Sequence, residues 1–244
     1  AQAAGVEIGL RLEFDTGLHR CGLTANEDSI ATAQEIIALP NLRWEGISLY
    51  PGHIMGNRKI REQDIPLENA KIDRLLALLD SADIPYPVVS GGNTPAAFQS
   101  HQFHGVTEIR PGTYAFNDRN TVDAESASYS DCAATVFTTV VSTSVAGRAI
   151  IDAGSKTLSA DSLLSGNQKH FGYIQDHPEL ILDGLSEEHG HLIVPDNSGV
   201  KLGDHLRIVP NHVCPCINLH DRVVVVSGEQ VVEQWTVQAR GMIT

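Results

Sequence analysis

Residues 85–95, PYPVVSGGNTP, indicate the fold class of the first half of the chain. Val88 and Val89 form a short apolar strand that runs into a turn containing two glycines. Pro95 then stands where a helix can begin, because proline is well tolerated at the first helical position. This order predicts one strand–loop unit of a parallel α/β sheet.

Comparable units lie on both sides of this stretch, up to about residue 118. Apolar strands end in the polar loops DTGLHRCG (15–22), YPGH (50–53) and RPGTY (110–114). Amphipathic helices are predicted at residues 29–39, with Ser29 or Asp28 as the N-cap, and at residues 67–80. In an α/β barrel the carboxyl ends of the strands form the functional edge, so we expect a site there.

The pattern changes after about residue 130, where short β-rich segments alternate with turns rich in Gly, Asn and Asp. We therefore expect an α/β domain over residues 1–130 and a separate all-β domain over residues 131–244.

Composition excludes several classes of function. The chain has 244 residues, with 17 basic and 30 acidic side chains and a net charge of −13. Without a basic run, binding to nucleic acid or to an anionic membrane is not expected. No segment approaches the roughly 18 apolar residues of a membrane span, and the first residues do not resemble a signal peptide. Four irregularly spaced cysteines do not form a disulfide framework, so we predict a cytoplasmic protein.

A candidate metal pair lies in residues 209–221, VPNHVCPCINLHD. If this segment is a strand, His212 and Cys214 point to the same face, because residues two apart do so in a strand. An imidazole and a thiolate together suit Zn²⁺ better than Mg²⁺ or Ca²⁺. The alternative is a buried strand cysteine beside a loop histidine.

The loops at the predicted functional edge are open to two interpretations. Ser90, Gly91, Gly92 and Thr94 could cradle a phosphate through backbone N–H groups and hydroxyls, or form an ordinary turn between a strand and a helix. Arg20 could face a phenolate or carboxylate, or be a surface side chain.

Taken together, the motifs DTGLHRCG, GISLYPGH, SGGNTP, TEIRPGTYAFND, IDAGSKTLSAD, SEEHG and PNHVCPCINLHD resemble the D-serine dehydratase and D-threonine aldolase family of alanine racemase-like, fold-type III enzymes. The resemblance extends over nearly the whole chain. It implies the C-terminal half of a TIM-like (β/α)8 barrel followed by a β-rich domain.

The resemblance also implies cofactors and residue roles. Arg20 would face the 3′-oxygen of pyridoxal 5′-phosphate, and His212 and Cys214 would hold Zn²⁺. The rest of the implied cofactor site consists of Tyr50, His53, Ser90, Gly91, Gly92, Thr94, Gly112, Thr113 and Tyr114.

The implied activity is dehydration of D-serine or a related D-3-hydroxy amino acid to a 2-oxo acid and ammonia. Cys214 favours dehydration, because the aldolases of the family carry aspartate at that position. A retro-aldol enzyme similar to D-threonine aldolase and a non-catalytic cofactor- or metal-binding remnant are the alternatives. The resemblance further implies a homodimer that acts on a small D-amino acid.

The sequence departs from the family pattern in two respects. The family's Schiff-base lysine ends the first barrel strand, and no strand here ends in one of the lysines, which are Lys59, Lys71, Lys156, Lys169 and Lys201. Only four strand–loop units are present where a complete barrel has eight. The chain begins without Met and with residues 6–14 already patterned as a buried strand. We therefore expect the C-terminal portion of an enzyme that needs a preceding or companion N-terminal segment for catalysis.

Overall fold

A computed structural model describes residues 1–165 and 168–242. By internal contacts the chain divides into a first unit, residues 1–112 and 123–126, and a second unit, residues 113–122 and 127–244. The predicted domain boundary between residues 130 and 131 stays a prediction.

Four parallel strands in chain order form the sheet of the first unit. The order β1-β2-β3-β4 is that of consecutive strands in an α/β barrel, which confirms the predicted partial barrel. The elements are β1 (Ile8–Phe14), α1 (Glu27–Ala38), β2 (Leu42–Leu49), α2 (Arg58–Ser81), β3 (Val88–Gly91) and β4 (Glu108–Ile109), with short 3₁₀ helices at Gln2–Ala4 and Ala97–Gln102.

The two helices begin earlier than the sequence pattern predicts. Asn26, rather than Asp28 or Ser29, caps α1, because Asn26 and Ser29 exchange backbone and side-chain hydrogen bonds in a capping box. Asn57 caps α2 through Ile60 N at 3.1 Å, and the helix continues through Pro66. The apolar face of α2 packs with strand residues in the core of the first unit, which includes Ile65, Ile72, Leu75, Leu79, Ile47, Leu49 and Val89.

A polar network joins all four strands of this sheet. Arg11 on β1 pairs with Glu108 on β4, and its Nε lies 3.3 Å from Glu45 Oε2 on β2. Ser90 on β3 donates its hydroxyl to Glu108 Oε1 at 2.6 Å. The bonds donated by Ser90 and Arg11 lower the pKa of the Glu108 carboxyl.

A bulge in β2 gives this network its geometry. Leu10 pairs with Trp44 and Arg11 pairs with Gly46, so Glu45 is an extra residue on β2. Gly46 has φ +125°, and a Cβ atom there would lie 2.1 Å from Val88 O on β3. The bulge therefore requires glycine at residue 46.

The second unit is rich in β-strands, as the sequence predicts, and its strands pair antiparallel. Its six-stranded sheet has the order β10-β11-β6-β5-β12-β9. The strands are β5 (Val136–Ser142), β6 (Arg148–Ile151), β7 (Leu163–Ser165), β8 (Gln168–His170), β9 (Gly172–Ile174), β10 (Ile181–Leu185), β11 (Gly190–Ile193), β12 (His205–Pro210), β13 (Arg222–Ser227) and β14 (Gln230–Thr236). The helices are α3 (Arg119–Asp123), which crosses the unit boundary, α4 (Ser155–Leu158) and α5 (Val213–Asn218), with 3₁₀ turns at Thr113–Ala115 and Tyr129–Asp131.

The sequence pattern did not predict β7 to β10, because these strands are too short or too polar to show alternation. Over residues 1–165 and 168–242, no helix combines the length and apolar composition that a membrane span requires.

Candidate functional site

The loop after β1 is fixed by its own carboxylate. Asp15 Oδ1 accepts hydrogen bonds from Gly17 N at 2.9 Å and His19 N at 3.0 Å. These backbone donors lower the pKa of Asp15 to about 2, so this side chain is charged at neutral pH. The turn that leads to Arg20 is therefore held by an ionised aspartate.

Arg20 and Tyr50, both predicted to line the cofactor pocket, lie together. Arg20 Cζ is 4.3 Å from the centroid of the Tyr50 ring, which is a cation–π contact. The contact joins the loops after β1 and β2 at the carboxyl edge of the sheet.

Asn93 joins the loop after β2 to the turn after β3, a role that the sequence pattern did not predict. Its Nδ2 donates to Pro51 O at 2.8 Å and to Ile54 O at 2.9 Å, while its Oδ1 accepts from Ala96 N at 2.9 Å. Asn93 lies inside the SGGNTP motif, which is the one signal that could have drawn attention to it.

Two of the predicted phosphate-binding segments meet in the first unit. Gly112 N donates to Thr94 Oγ1 at 3.2 Å. Gly92 has φ +98°, a conformation that favours glycine and lets the turn bend closely. Gly91 ends β3, and a Cβ atom there would make only ordinary contacts, so packing does not require glycine at this residue. The phosphate-binding roles of Thr94, Gly92 and Gly112 stay predictions, and the Gly112 N–H is already donated to Thr94.

Other predicted cofactor residues have a different local role or belong to the second unit. Ser90 is fully buried and its hydroxyl proton is donated to Glu108, so that hydroxyl serves the sheet network. Thr113 and Tyr114 form a 3₁₀ turn of the second unit, where Tyr114 is exposed. Their cofactor roles stay predictions.

The local geometry predicted for the metal pair is wrong. Strand β12 ends at Pro210, and His212 is the N-cap of α5, in whose first turn Cys214 lies exposed. The pair therefore lies at a strand-to-helix transition, where Pro215 is tolerated because it stands in the first helical turn.

Asp118 orients His212. The carboxylate is fully buried, and its Oδ2 accepts from His212 Nδ1 at 3.0 Å and from Val213 N at 3.0 Å. Its Oδ1 accepts from Thr121 N at 3.0 Å. The hydrogen bond to Asp118 raises the pKa of His212 and leaves Nε2 as the ring nitrogen for a metal.

The nearby Cys216 has a different environment from Cys214. Its Sγ is buried and lies 3.3 Å from Thr157 O, and burial raises the pKa of this thiol to about 11. In the part of the chain that the structure describes, no group of three or more His, Cys, Asp or Glu residues could hold a metal. That His212 and Cys214 hold zinc stays a prediction, in which the further ligands would be water or substrate.

Replacing Asp118 with alanine should destabilise the second unit by about 3 kcal/mol, because the two backbone donors at Thr121 and Val213 lose their partner. It should also weaken zinc binding by roughly 10- to 100-fold, because the His212 ring is no longer oriented. Urea denaturation and zinc titration measure the two effects. Asp131→Ala, at an exposed aspartate of the same unit, should leave zinc affinity unchanged. If Asp118→Ala binds zinc as tightly as the parent, the orienting role of Asp118 is contradicted.

In chain order, a partial parallel α/β barrel followed by a β-rich unit is the architecture of the C-terminal portion of alanine racemase-like proteins. Residues 1–120 match the family model described as alanine racemase, N-terminal domain. Residues 133–226 match the model described as a putative serine dehydratase domain. The chain belongs to the D-serine dehydratase and D-threonine aldolase family of alanine racemase-like proteins.

The proteins similar to this chain include aldolases and dehydratases. A 3-hydroxy-D-aspartate aldolase of Paracoccus denitrificans (strain Pd 1222) is 34% identical over 99% of this chain and 62% of its own length. A D-threo-3-hydroxyaspartate dehydratase of Delftia sp. (strain HT23) is 30% identical over 83% of this chain and 58% of its own length. The crystal structure of D-threonine aldolase from Filomicrobium marinum matches with a TM-score of 0.88 and 27% identity, over 100% of this chain and 66% of that chain. The chain thus spans less than two thirds of the length of these proteins.

Proposed function

We propose that the protein to which this chain belongs is a pyridoxal 5′-phosphate- and zinc-dependent lyase of D-3-hydroxy amino acids, and that it catalyses dehydration to a 2-oxo acid and ammonia. The observation that carries the proposal is the pair His212 and Cys214, with His212 oriented by the buried Asp118. A histidine held through Nδ1 by a carboxylate is the usual arrangement for a metal ligand that binds through Nε2.

A solved relative supports the metal assignment. Structures of a D-threo-3-hydroxyaspartate dehydratase include one variant with histidine replaced by alanine and one with cysteine replaced by alanine, the second in a metal-free form. The two substituted residues are two positions apart in that protein, the spacing of His212 and Cys214 in this chain.

The residues of this chain have distinct tasks in the proposed reaction. When bound, pyridoxal phosphate withdraws electrons from the substrate's α-carbon and zinc polarises its β-hydroxyl. Arg20 would hold the phenolic oxygen of the cofactor, and Thr94 with the glycine turn would bind its phosphate. Asp118 holds the proton on Nδ1 of His212, so that the opposite ring nitrogen stays available as a ligand.

Retro-aldol cleavage is the second candidate, because the 3-hydroxy-D-aspartate aldolase of Paracoccus is 34% identical to this chain, against 30% for the Delftia dehydratase. Cys214 favours dehydration, since the resemblance associates aspartate at this position with the aldolases. A thiolate also suits Zn²⁺, whereas a carboxylate suits harder ions such as Mn²⁺.

Product analysis of the full-length protein with D-threonine separates the two candidates. Dehydration gives 2-oxobutanoate and ammonia, whereas retro-aldol cleavage gives glycine and acetaldehyde. D-serine and D-3-hydroxyaspartate should be assayed beside D-threonine, with zinc supplied in each case. If glycine is the main product, the activity is retro-aldol cleavage rather than dehydration. If none of the three substrates is turned over, both candidate activities are contradicted.

Gly92→Ala should weaken the binding of pyridoxamine 5′-phosphate by roughly 10-fold, because φ +98° costs an alanine about 1–2 kcal/mol and the turn must relax away from the phosphate. Calorimetric titration of the 244-residue chain measures this affinity, and pyridoxamine without phosphate shows how much of it depends on the phosphate. Gly147→Ala is the matched control, since Gly147 has φ +71° in the second unit. Unchanged affinity in Gly92→Ala would place the phosphate elsewhere.

A further inference from the structure

Glu68 is a carboxylate in the apolar face of α2. Its side chain is fully buried on the helix face that also carries Ile65, Ile72 and Leu75. Within residues 1–165 and 168–242, its Oε1 has no hydrogen-bond partner. Its Oε2 lies 3.4 Å from Lys71 Nζ and 3.5 Å from His53 Nε2.

Such an environment does not stabilise a folded chain. Burying an ionised carboxylate is unfavourable unless its oxygens are well paired, and one oxygen of Glu68 is unpaired in the described residues. An apolar side chain of similar volume at the same position is commonly neutral or stabilising. Packing alone therefore gives no reason for glutamate at residue 68.

The two side chains beside Glu68, Lys71 and His53, lie against the loop that follows β1. Lys71 Nζ donates to Thr16 O, and the hydroxyl of Thr16 is itself buried without a hydrogen-bond partner in the described chain. A Cβ atom at Gly17 would lie 2.8 Å from Lys71 Nζ and 3.2 Å from His53 Cε1 and Nε2. Glycine at residue 17 thus leaves the space that these two side chains occupy.

We propose that Glu68 is a positioning residue: its buried carboxylate holds His53 and Lys71 together at the carboxyl end of β1, and through His53 it acts on the bound cofactor. This inference rests on the proposed function, in which His53 lines the cofactor pocket. Glu68 itself touches neither cofactor nor substrate. Its removal should therefore affect ligand binding only while His53 is present.

The contact between Glu68 and Lys71 can be tested without any ligand. Glu68→Gln keeps the shape of the side chain but removes its charge, so the Lys71 amine loses its ionic partner and is less restrained when an acylating reagent approaches. We expect labelling of Lys71 to accelerate by roughly threefold to tenfold, relative to Lys59 on the same helix, as measured by peptide mass spectrometry. The melting temperature should be equal to or higher than that of the parent.

The matched control is Glu62→Gln, which removes an exposed carboxylate of α2 that pairs with Arg58. It should change neither the labelling of Lys71 nor the affinity for the cofactor. If Glu68→Gln lowers the melting temperature and leaves Lys71 labelling unchanged, then Glu68 has a structural role only and the proposal is wrong.

A double-mutant cycle tests the action through His53. Pyridoxamine 5′-phosphate is titrated into the parent chain, Glu68→Gln, His53→Gln and the double variant. We expect Glu68→Gln to weaken binding by roughly fivefold in the parent and to have no effect in the His53→Gln background. Additive effects in the cycle would show that Glu68 does not act through His53. If no form binds, the proposed cofactor pocket fails, whereas a faster labelling of Lys71 would still establish the contact between Glu68 and Lys71.

Discussion

His212→Ala and Cys214→Ala should each remove zinc from the protein and abolish turnover of the full-length form. His212 and Cys214 are the two protein ligands proposed for this metal, so the loss of either leaves a single proposed protein ligand. Zinc affinity should fall by more than about 100-fold in each variant. Elemental analysis after gel filtration measures zinc content, and cofactor absorbance should survive in both variants.

The fold should tolerate both substitutions, which makes the zinc result easy to interpret. Cys214 is exposed, and Asp118 retains the donors Thr121 N and Val213 N when His212 is removed. Cys216→Ala is the matched control, because its buried thiol faces the carbonyl of Thr157 and should not contribute to zinc binding. Undiminished zinc in both His212→Ala and Cys214→Ala would overturn the metal assignment.

Gly46→Ala should destabilise the first unit by about 4 kcal/mol or more, which is comparable with the whole stability of many domains. The new Cβ would lie 2.1 Å from Val88 O, and φ +125° adds backbone strain. The neighbouring strand would have to move, and the pairing of β2 with β3 would be lost. Urea denaturation and limited proteolysis of the 244-residue chain measure the effect.

Gly5→Ala separates the effect of backbone strain from the effect of steric contact with the neighbouring strand. Gly5 also has a positive φ, of +61°, but no atom lies within 4 Å of its Cβ position. It should cost about 1 kcal/mol, the value expected from backbone strain alone. Equal losses in Gly46→Ala and Gly5→Ala would show that close approach to β3 does not determine the cost at Gly46.

Local patterns in the sequence were sufficient for the main architecture. Each parallel strand is marked by an apolar run that ends in a polar or glycine-containing loop, as Val88 and Val89 do before Gly91 and Gly92. The carboxyl edge was predicted for the same reason, since in a parallel sheet these loops share one edge.

The details of the candidate site depended on partners distant in sequence. His212 and Asp118 are 94 residues apart, and no spacing rule connects them. The same carboxylate accepts the N–H of Val213 at the start of α5, so the segment turns into a helix where a strand was predicted. Asn93 and Glu68 were missed for a similar reason, because Asn93 binds loop carbonyls and Glu68 contacts His53, which lies outside its helix.

The ion pair of Arg11 and Glu108 has a consequence for how the first unit folds. The two residues lie 97 positions apart, on the first and last strands of the sheet. A contact of such long sequence separation requires closure of a large loop, so it forms after the local strand–helix units have assembled. Interactions that form late affect mainly the unfolding rate. The pair therefore contributes to the lifetime of the folded sheet more than to the speed at which the sheet is made.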